Sequence, residues 1–184
     1  DFMDALRSLA KEVGVDIPEF ESTEKVGVKK SRLYEANKEA ARFFHACLMS
    51  EGGKNALNYL TSRGLTQTTI KRFGIGYAPD GWTTLTDHLR SKGFTDEELD
   101  SAFLSKKGKN GKMYDIFRNR IAFPLISTTG EVLGFSARRL NEADERKYVN
   151  TSDTPVFKKS KFVFALNMAK AHSASELIMC EGCV

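Results

Sequence analysis

Apolar residues recur at helical spacing through the first half of the chain and at strand spacing through the second, with the change near Lys109. Phe2, Leu6, Leu9 and Val13 keep a helical period and run into Gly14, a natural C-terminal stop. Residues 15–30 carry Pro18, mixed charge and few apolar side chains, and read as a linker. That first helix is either the tail of an upstream module or an edge helix of this domain. A long helix over 32–50, capped by Ser31, lines up Leu33, Ala36, Ala40, Phe43, Phe44, Cys47 and Leu48 in one stripe before Gly52 and Gly53. A short helix from Lys54 to Arg63 presents Ala56, Leu57 and Leu60 and stops at Gly64, and another, capped by Thr66, turns Ile70 and Phe73 inward. The pattern from Trp82 to Ser91 predicts a helix with Leu85 and Leu89 inside. Thr95 with Glu98 three residues on predicts a capping box for the next one, which runs out at Lys106, Lys107 and Gly108. Ile75 to Pro79 is short and glycine-rich enough for an edge strand only.

From Lys109 the period is that of strands. Met113 to Phe117 leads into two apolar runs, Ile121 to Ile126 and Val132 to Phe135, joined by Ser127-Thr128-Thr129-Gly130, which is turn chemistry. The result is a β-hairpin with arginines at its outer ends, Arg118 and Arg120 leading in, Arg138 and Arg139 leading out. A polar loop over 141–146 follows, then short extended pieces at 147–150, 154–157 and 162–164, and a short helix over 167–172. Glu176 to Cys180 reads as a core strand leading into Glu181-Gly182, and the chain stops two residues later, which marks it as an excised fragment. The fold class is therefore α+β: a helical N-terminal part, then a small mixed or antiparallel sheet with a basic hairpin, then the first strand of a truncated α/β domain.

Charge sharpens this picture. Between Lys106 and Lys161 there are 13 Lys and Arg against 6 Asp and Glu, a local +7 in a chain whose net charge is +4. Concentrated positive charge around extended segments suits phosphate, since arginine and lysine displace counterions from a nucleic-acid backbone and neutralise triphosphates. Arg120, Arg138, Lys147 and Lys159 are the candidates, with Tyr148, Asn150 and Phe157 interleaved to stack on or hydrogen-bond bases. Lysines 106 to 112 read as an ordinary solvated face. Glu181, a carboxylate at the C-terminal end of a strand and before a glycine, stands where metal-binding or acid–base groups are often placed. Cys180 and Cys183 have the spacing of half a zinc site without a second pair, and His45, His88 and His172 lack ligand partners. No run approaches the roughly 18 apolar residues of a membrane span. The N-terminus has no secretory pattern, and three scattered cysteines suit a reducing, cytoplasmic setting.

Several of these stretches occur together, and in order, in one family. The runs FRNRIAFPLISTTGEVLGFSARRL, KYVNTSDTPVFKKSKFVFAL and LIMCEGCV, with the upstream ANKEAARFFHACL helix, resemble the catalytic core of bacterial DnaG-type primase. The resemblance covers nearly all of 31–184, while residues 1–30 are similar to the linker that follows the family's zinc-binding domain. It implies a DNA-templated RNA polymerase that makes short primers for replication, with residues 31–174 as the N-terminal subdomain of the core and 175–184 as the start of the TOPRIM domain. Carried over by position, Arg118, Arg120, Arg138, Lys147, Tyr148, Asn150 and Lys159 would hold single-stranded DNA template, nucleoside triphosphates and RNA primer in a basic cleft. Glu181 would be the first catalytic, metal-binding acid of TOPRIM, which in the complete domain takes Mg2+ or Mn2+. The family's Zn2+ belongs to its N-terminal domain, and its replicative hexameric helicase and single-strand-binding protein are met through other regions. No cofactor is expected on these residues, no membrane is implied, and a fragment with one carboxylate is expected to be inactive alone. Thr151 and Cys183 depart from the family pattern at two positions. Rival readings are a non-catalytic single-strand-binding module and another TOPRIM protein, such as a phage primase-helicase or a nuclease.

Overall fold

The computed structural model describes residues 28–171 and Glu176. The proposed helix over 2–14, residues 177–180 of the proposed strand, Glu181, Cys183 and His172 lie outside the described residues. The elements run α1 (Lys30–Met49), α2 (Lys54–Ser62), α3 (Gln67–Phe73), β1 (Gly76–Ala78), α4 (Thr84–Ser91), α5 (Asp96–Ser101), β2 (Ser105–Lys107), β3 (Met113–Asp115), β4 (Arg120–Ile126), β5 (Val132–Arg139), β6 (Tyr148–Asn150) and α6 (Leu166–Lys170). Four strands form a wholly antiparallel sheet in the order β1-β4-β5-β6, and β2 pairs with β3 as a separate ribbon. The fold is α+β, helices first and the basic hairpin at the centre of the sheet.

The sheet's two faces bury different cores, because side chains alternate along each strand. Register places Ala122, Ala137 and Val149 in one row. They pack with Phe135 against Leu33, Ala36, Ala40 and Phe44 of α1 and against Leu85, Leu89 and Leu99 of α4 and α5. The Phe44, Phe117 and Phe135 rings meet edge to face at centroid separations of 5.2 to 6.4 Å. On the other face Ile121 and Phe123 join Leu48, Ala56, Leu60, Ile70 and Ile75, so α2 and α3 cover part of it. Gly76 is the point where β1 crosses α1. A Cβ added there would stand 2.5 Å from the Phe44 carbonyl carbon and 2.6 Å from its Cβ, so no other residue fits without movement.

Pro124 sits inside β4, an interior strand, although proline has no ladder donor. Register resolves this: Ile121, Phe123 and Leu125 face β5 for their ladder bonds, so position 124 turns to the β1 side, where β1 begins only at Gly76, opposite Ala122.

Most start and stop signals hold. Thr66 caps α3, its hydroxyl accepting from Thr69 N at 3.1 Å, and Gly74 closes that helix at φ 62°. Thr95 and Glu98 form the capping box. Four details differ. The N-cap of α1 is Lys29 without a side-chain bond, and Ser31 lies inside the first turn. Helix α4 starts at Thr84, leaving Trp82 outside it. The helix after Thr95 ends at Ser101: Phe103 takes φ 57° and turns the chain, so that 105–107 pair as a strand instead of extending the helix. Residues 162–164 form no strand, and Phe164 instead stacks on Phe73 at 6.2 Å.

Candidate nucleic-acid interface

The hairpin's arginines are divided by strand alternation. Arg138 shares a face with its register partners Ile121 and Tyr148, whereas Arg120 and Arg139 pair with each other on the opposite face. On that face Arg120 is 2% exposed, and its guanidinium donates to Arg146 O at 2.9 Å and pairs closely with Asp144. Arg139 donates to the Asp144 carbonyl. Burial lowers the Arg120 pKa while Asp144 acts to raise it. The Asp144 carboxyl is held below its usual range by the Arg146 backbone N–H and then by Arg120. These two arginines brace the 141–146 loop.

Arg138 is held differently. Its Nε donates to the Tyr59 hydroxyl of α2 at 2.6 Å, and one terminal nitrogen donates to the Tyr148 hydroxyl at 2.8 Å. The guanidinium also lies 5.8 and 5.5 Å from the two ring centroids. Burial alone would lower its pKa, but the bonds to Tyr148 and Tyr59 outweigh that and leave it above the ordinary value. Two tyrosine hydroxyls thus orient this cation. Asn150 shares the face, two residues beyond Tyr148 on β6, and is exposed.

At the same end of the sheet, Arg118 donates to Asp115 O at 2.7 Å and lies over the Trp82 ring, 4.0 Å from its centroid. Tyr114 meets Trp82 edge to face at 6.5 Å. Trp82 is 68% exposed, so its ring is presented to solvent with a cation stacked against it. Asp115 organises this corner. Its buried carboxylate accepts from Leu85 N at 2.7 Å, Thr86 N at 2.9 Å and the Thr86 hydroxyl at 2.5 Å, capping α4 from a distant strand. Its own N–H donates to Trp82 O at 2.7 Å. Burial raises the Asp115 pKa, and the Thr86 and Leu85 donors pull against that rise.

Beside Arg138, which bonds the Tyr59 hydroxyl, lies a cavity of about 470 Å³ walled by Gly52, Asn55, Tyr59, Tyr77, Asn119, Leu140 and Asn141. Lys147 and Lys159 are both exposed, and the Lys159 N–H donates to Asp153, whose carboxylate is also paired with Lys158 at 3.4 Å. Lys106 pairs with Asp100 at 2.9 Å in the solvated region expected for it. No group of three or more His, Cys, Asp or Glu side chains converges among the described residues, and Glu181 lies outside them.

Sequence patterns passed over Trp82, Tyr59 and Asn119. A lone tryptophan beside Gly81 looks like the start of the next helix. Tyr59 adjoins the apolar stripe of α2 without belonging to it, and the positive φ of Asn119 has no signature in one sequence.

The family described as DNA primase catalytic core, N-terminal domain, matches residues 43–170. The DNA primase of Mycobacterium tuberculosis is 40% identical over 188 aligned residues, covering 98% of this chain and 29% of that protein. The chain thus spans less than a third of the curated relatives it matches. The crystal structure of the RNA polymerase domain of M. tuberculosis primase DnaG with a double-stranded DNA oligomer bearing a 6-nucleotide overhang superposes with TM-score 0.75. It is 43% identical, covering 79% of this chain and 46% of that one. A DnaG primase catalytic domain bound to single-stranded DNA superposes with TM-score 0.72 at 32% identity, covering 77% of this chain and 46% of that one.

Proposed function

This chain belongs to the DNA primase family, as the N-terminal domain of the catalytic core, and we propose that it holds single-stranded template and nucleotides while RNA primers are made. The binding surface consists of Arg118, Arg138, Lys147 and Lys159 as phosphate-directed cations, with Trp82, Tyr148 and Asn150 offered to bases. Arg120 serves by bracing the 141–146 loop beside that surface. The carrying observation is Arg138, whose guanidinium is oriented near the end of β5 by the hydroxyls of Tyr59 and Tyr148. Such a fork is preorganised for phosphate oxygens. The exposed Trp82 ring supports the same reading, because a solvent-facing indole backed by an arginine is a stacking platform that tolerates any base. The relatives solved with single- and double-stranded DNA make nucleic acid the ligand class to test first.

In the whole protein, Glu181 would supply one carboxylate to hold Mg2+ or Mn2+, which would stabilise charge as a 3′-hydroxyl displaces pyrophosphate from a nucleoside triphosphate. The residues described here bind and orient the strands brought to it.

The test is fluorescence anisotropy of a labelled single-stranded oligonucleotide with Arg138→Ala and Lys159→Ala. Each should weaken binding by about 5- to 10-fold, the worth of one charged contact. Arg138→Lys should fall between, since the charge stays and the fork is lost. Unchanged affinity in both alanine variants, with the circular dichroism of the parent, would overturn the assignment.

A further inference from the structure

The cavity beside Arg138 has a chemistry of its own. Its walls carry three carboxamides, Asn55, Asn119 and Asn141, and two phenols, Tyr59 and Tyr77, over Leu140, and none of these side chains is charged. A pocket for phosphate would place cations inside; here, among the described residues, the cation bonded to the wall is Arg138, at the Tyr59 hydroxyl. The volume of about 470 Å³ lies in the range of small-molecule sites.

Two features show that the wall is built. Asn119 holds φ 48°, in the left-handed region that asparagine adopts more readily than most residues, and it is fixed there by its N–H to Pro79 O and by Leu140 N to its carbonyl. In that position its Oδ1 accepts from the Tyr77 hydroxyl at 3.3 Å, which turns the Asn119 Nδ2 away from that bond. The Asn55 amide, exposed on the first turn of α2, has no hydrogen-bond partner among the described residues. The cavity therefore offers unspent amide donors and acceptors beside aromatic rings.

We infer that this cavity receives a single unstacked nucleobase, read by the carboxamides, with the phosphates of the same nucleotide directed to Arg138. Carboxamides match the paired donor and acceptor edges of bases, and tyrosine rings stack on their faces. This deepens the proposed function and rests on Arg138 being a phosphate contact. The base can come from a free nucleoside triphosphate or from the template strand, and the two are separable by experiment.

The experiment uses the full 184-residue chain with Asn55→Ala, Tyr77→Phe and Arg138→Ala against four probes: a nucleoside triphosphate, inorganic tripolyphosphate, a single-stranded oligonucleotide and its abasic counterpart. Asn55→Ala and Tyr77→Phe should each weaken at least one base-bearing probe by about 5-fold, the size of one hydrogen bond, and leave tripolyphosphate and the abasic strand unchanged. Loss confined to the triphosphate assigns the pocket to the incoming nucleotide; loss confined to the oligonucleotide assigns it to the template. Equal loss on base-bearing and base-free probes, or no loss on any, overturns the inference. Because Asn55 is exposed and makes no bond within the described fold, its variant keeps the test valid if Tyr77→Phe misfolds. Arg138→Ala should weaken all four probes. If it weakens none while Asn55→Ala is selective, the pocket takes a base but the phosphate assignment fails.

Discussion

Replacing Asp115 by alanine should cost this domain a large part of its stability. The carboxylate receives two backbone N–H groups at the start of α4 and the Thr86 hydroxyl, which in turn lies 2.7 Å from the Ser105 hydroxyl, and all of these groups are buried. Losing a helix cap costs about 1–2 kcal/mol, and each donor left buried without an acceptor adds about 1–3 kcal/mol. Part of that relaxes, so about 3–5 kcal/mol is the expected loss, as when one member of a buried charged network is removed. Urea unfolding followed by circular dichroism measures it directly. Asp115→Asn keeps one acceptor oxygen and should cost less. The pair also fixes a sign with pH. Burial raises the folded-state pKa of Asp115 above the ordinary 3.8, so between that value and the raised one the folded state binds more protons, and this group's contribution to stability falls as pH rises. Wild type should therefore gain on Asp115→Asn as pH is lowered through the raised value toward 3.8. A loss under about 1 kcal/mol in Asp115→Ala, small beside the 5–15 kcal/mol of a typical domain, would refute the view that this carboxylate holds α4 in place.

Other outcomes are open to measurement. Asn37 is fully buried in α1 and neither of its amide atoms has a partner among the described residues; Asn37→Leu should raise stability by about 1–2 kcal/mol, and a lowered urea midpoint would show that the amide is satisfied. The Glu98 carboxyl is held below its ordinary 4.5 by hydrogen bonds from Arg32, the closest at 2.7 Å. The stability it contributes is present above that pH and lost as pH falls through the lowered folded-state value, so Glu98→Gln should flatten the acid limb of the stability profile. If Arg118, Arg138, Lys147 and Lys159 all meet phosphate, log affinity for single strands should fall with log salt at a slope of about −3, at about 0.7 per contact; a slope near zero would leave the surface without a polyanion.

How far the sequence could be read depended on the range of the cause. Thr66, the Thr95 and Glu98 box, Gly64, Gly74 and the turn before Gly130 act within a few residues, and their elements form where the pattern puts them. Ser31 failed as a cap because Lys29, two residues earlier, already takes the extended conformation from which the helix starts. The start of α4 was hidden because its cap, Asp115, comes from 30 residues away. The basic hairpin was visible as charge, yet charge alone could not divide it. Alternation separates Arg138 from Arg139, but only the register with β4 and the position of Asp144 show that Arg120 and Arg139 turn to the loop. The cavity was invisible for the same reason. Its walls come from α2, β1, the Asn119 turn and the loop after β5, and none of its residues is unusual alone.

The crossing at Gly76 sets what can yield around that cavity. Because main chain lies on main chain there, β1 has no slack, and Tyr77 behaves as a fixed anvil. The facing side is a loop hung on Asp144 through two arginines. Adaptation to a larger or smaller guest must then come from that hanging side, and lengthening or reshaping 141–146 offers evolution a dial for selectivity that leaves the sheet untouched.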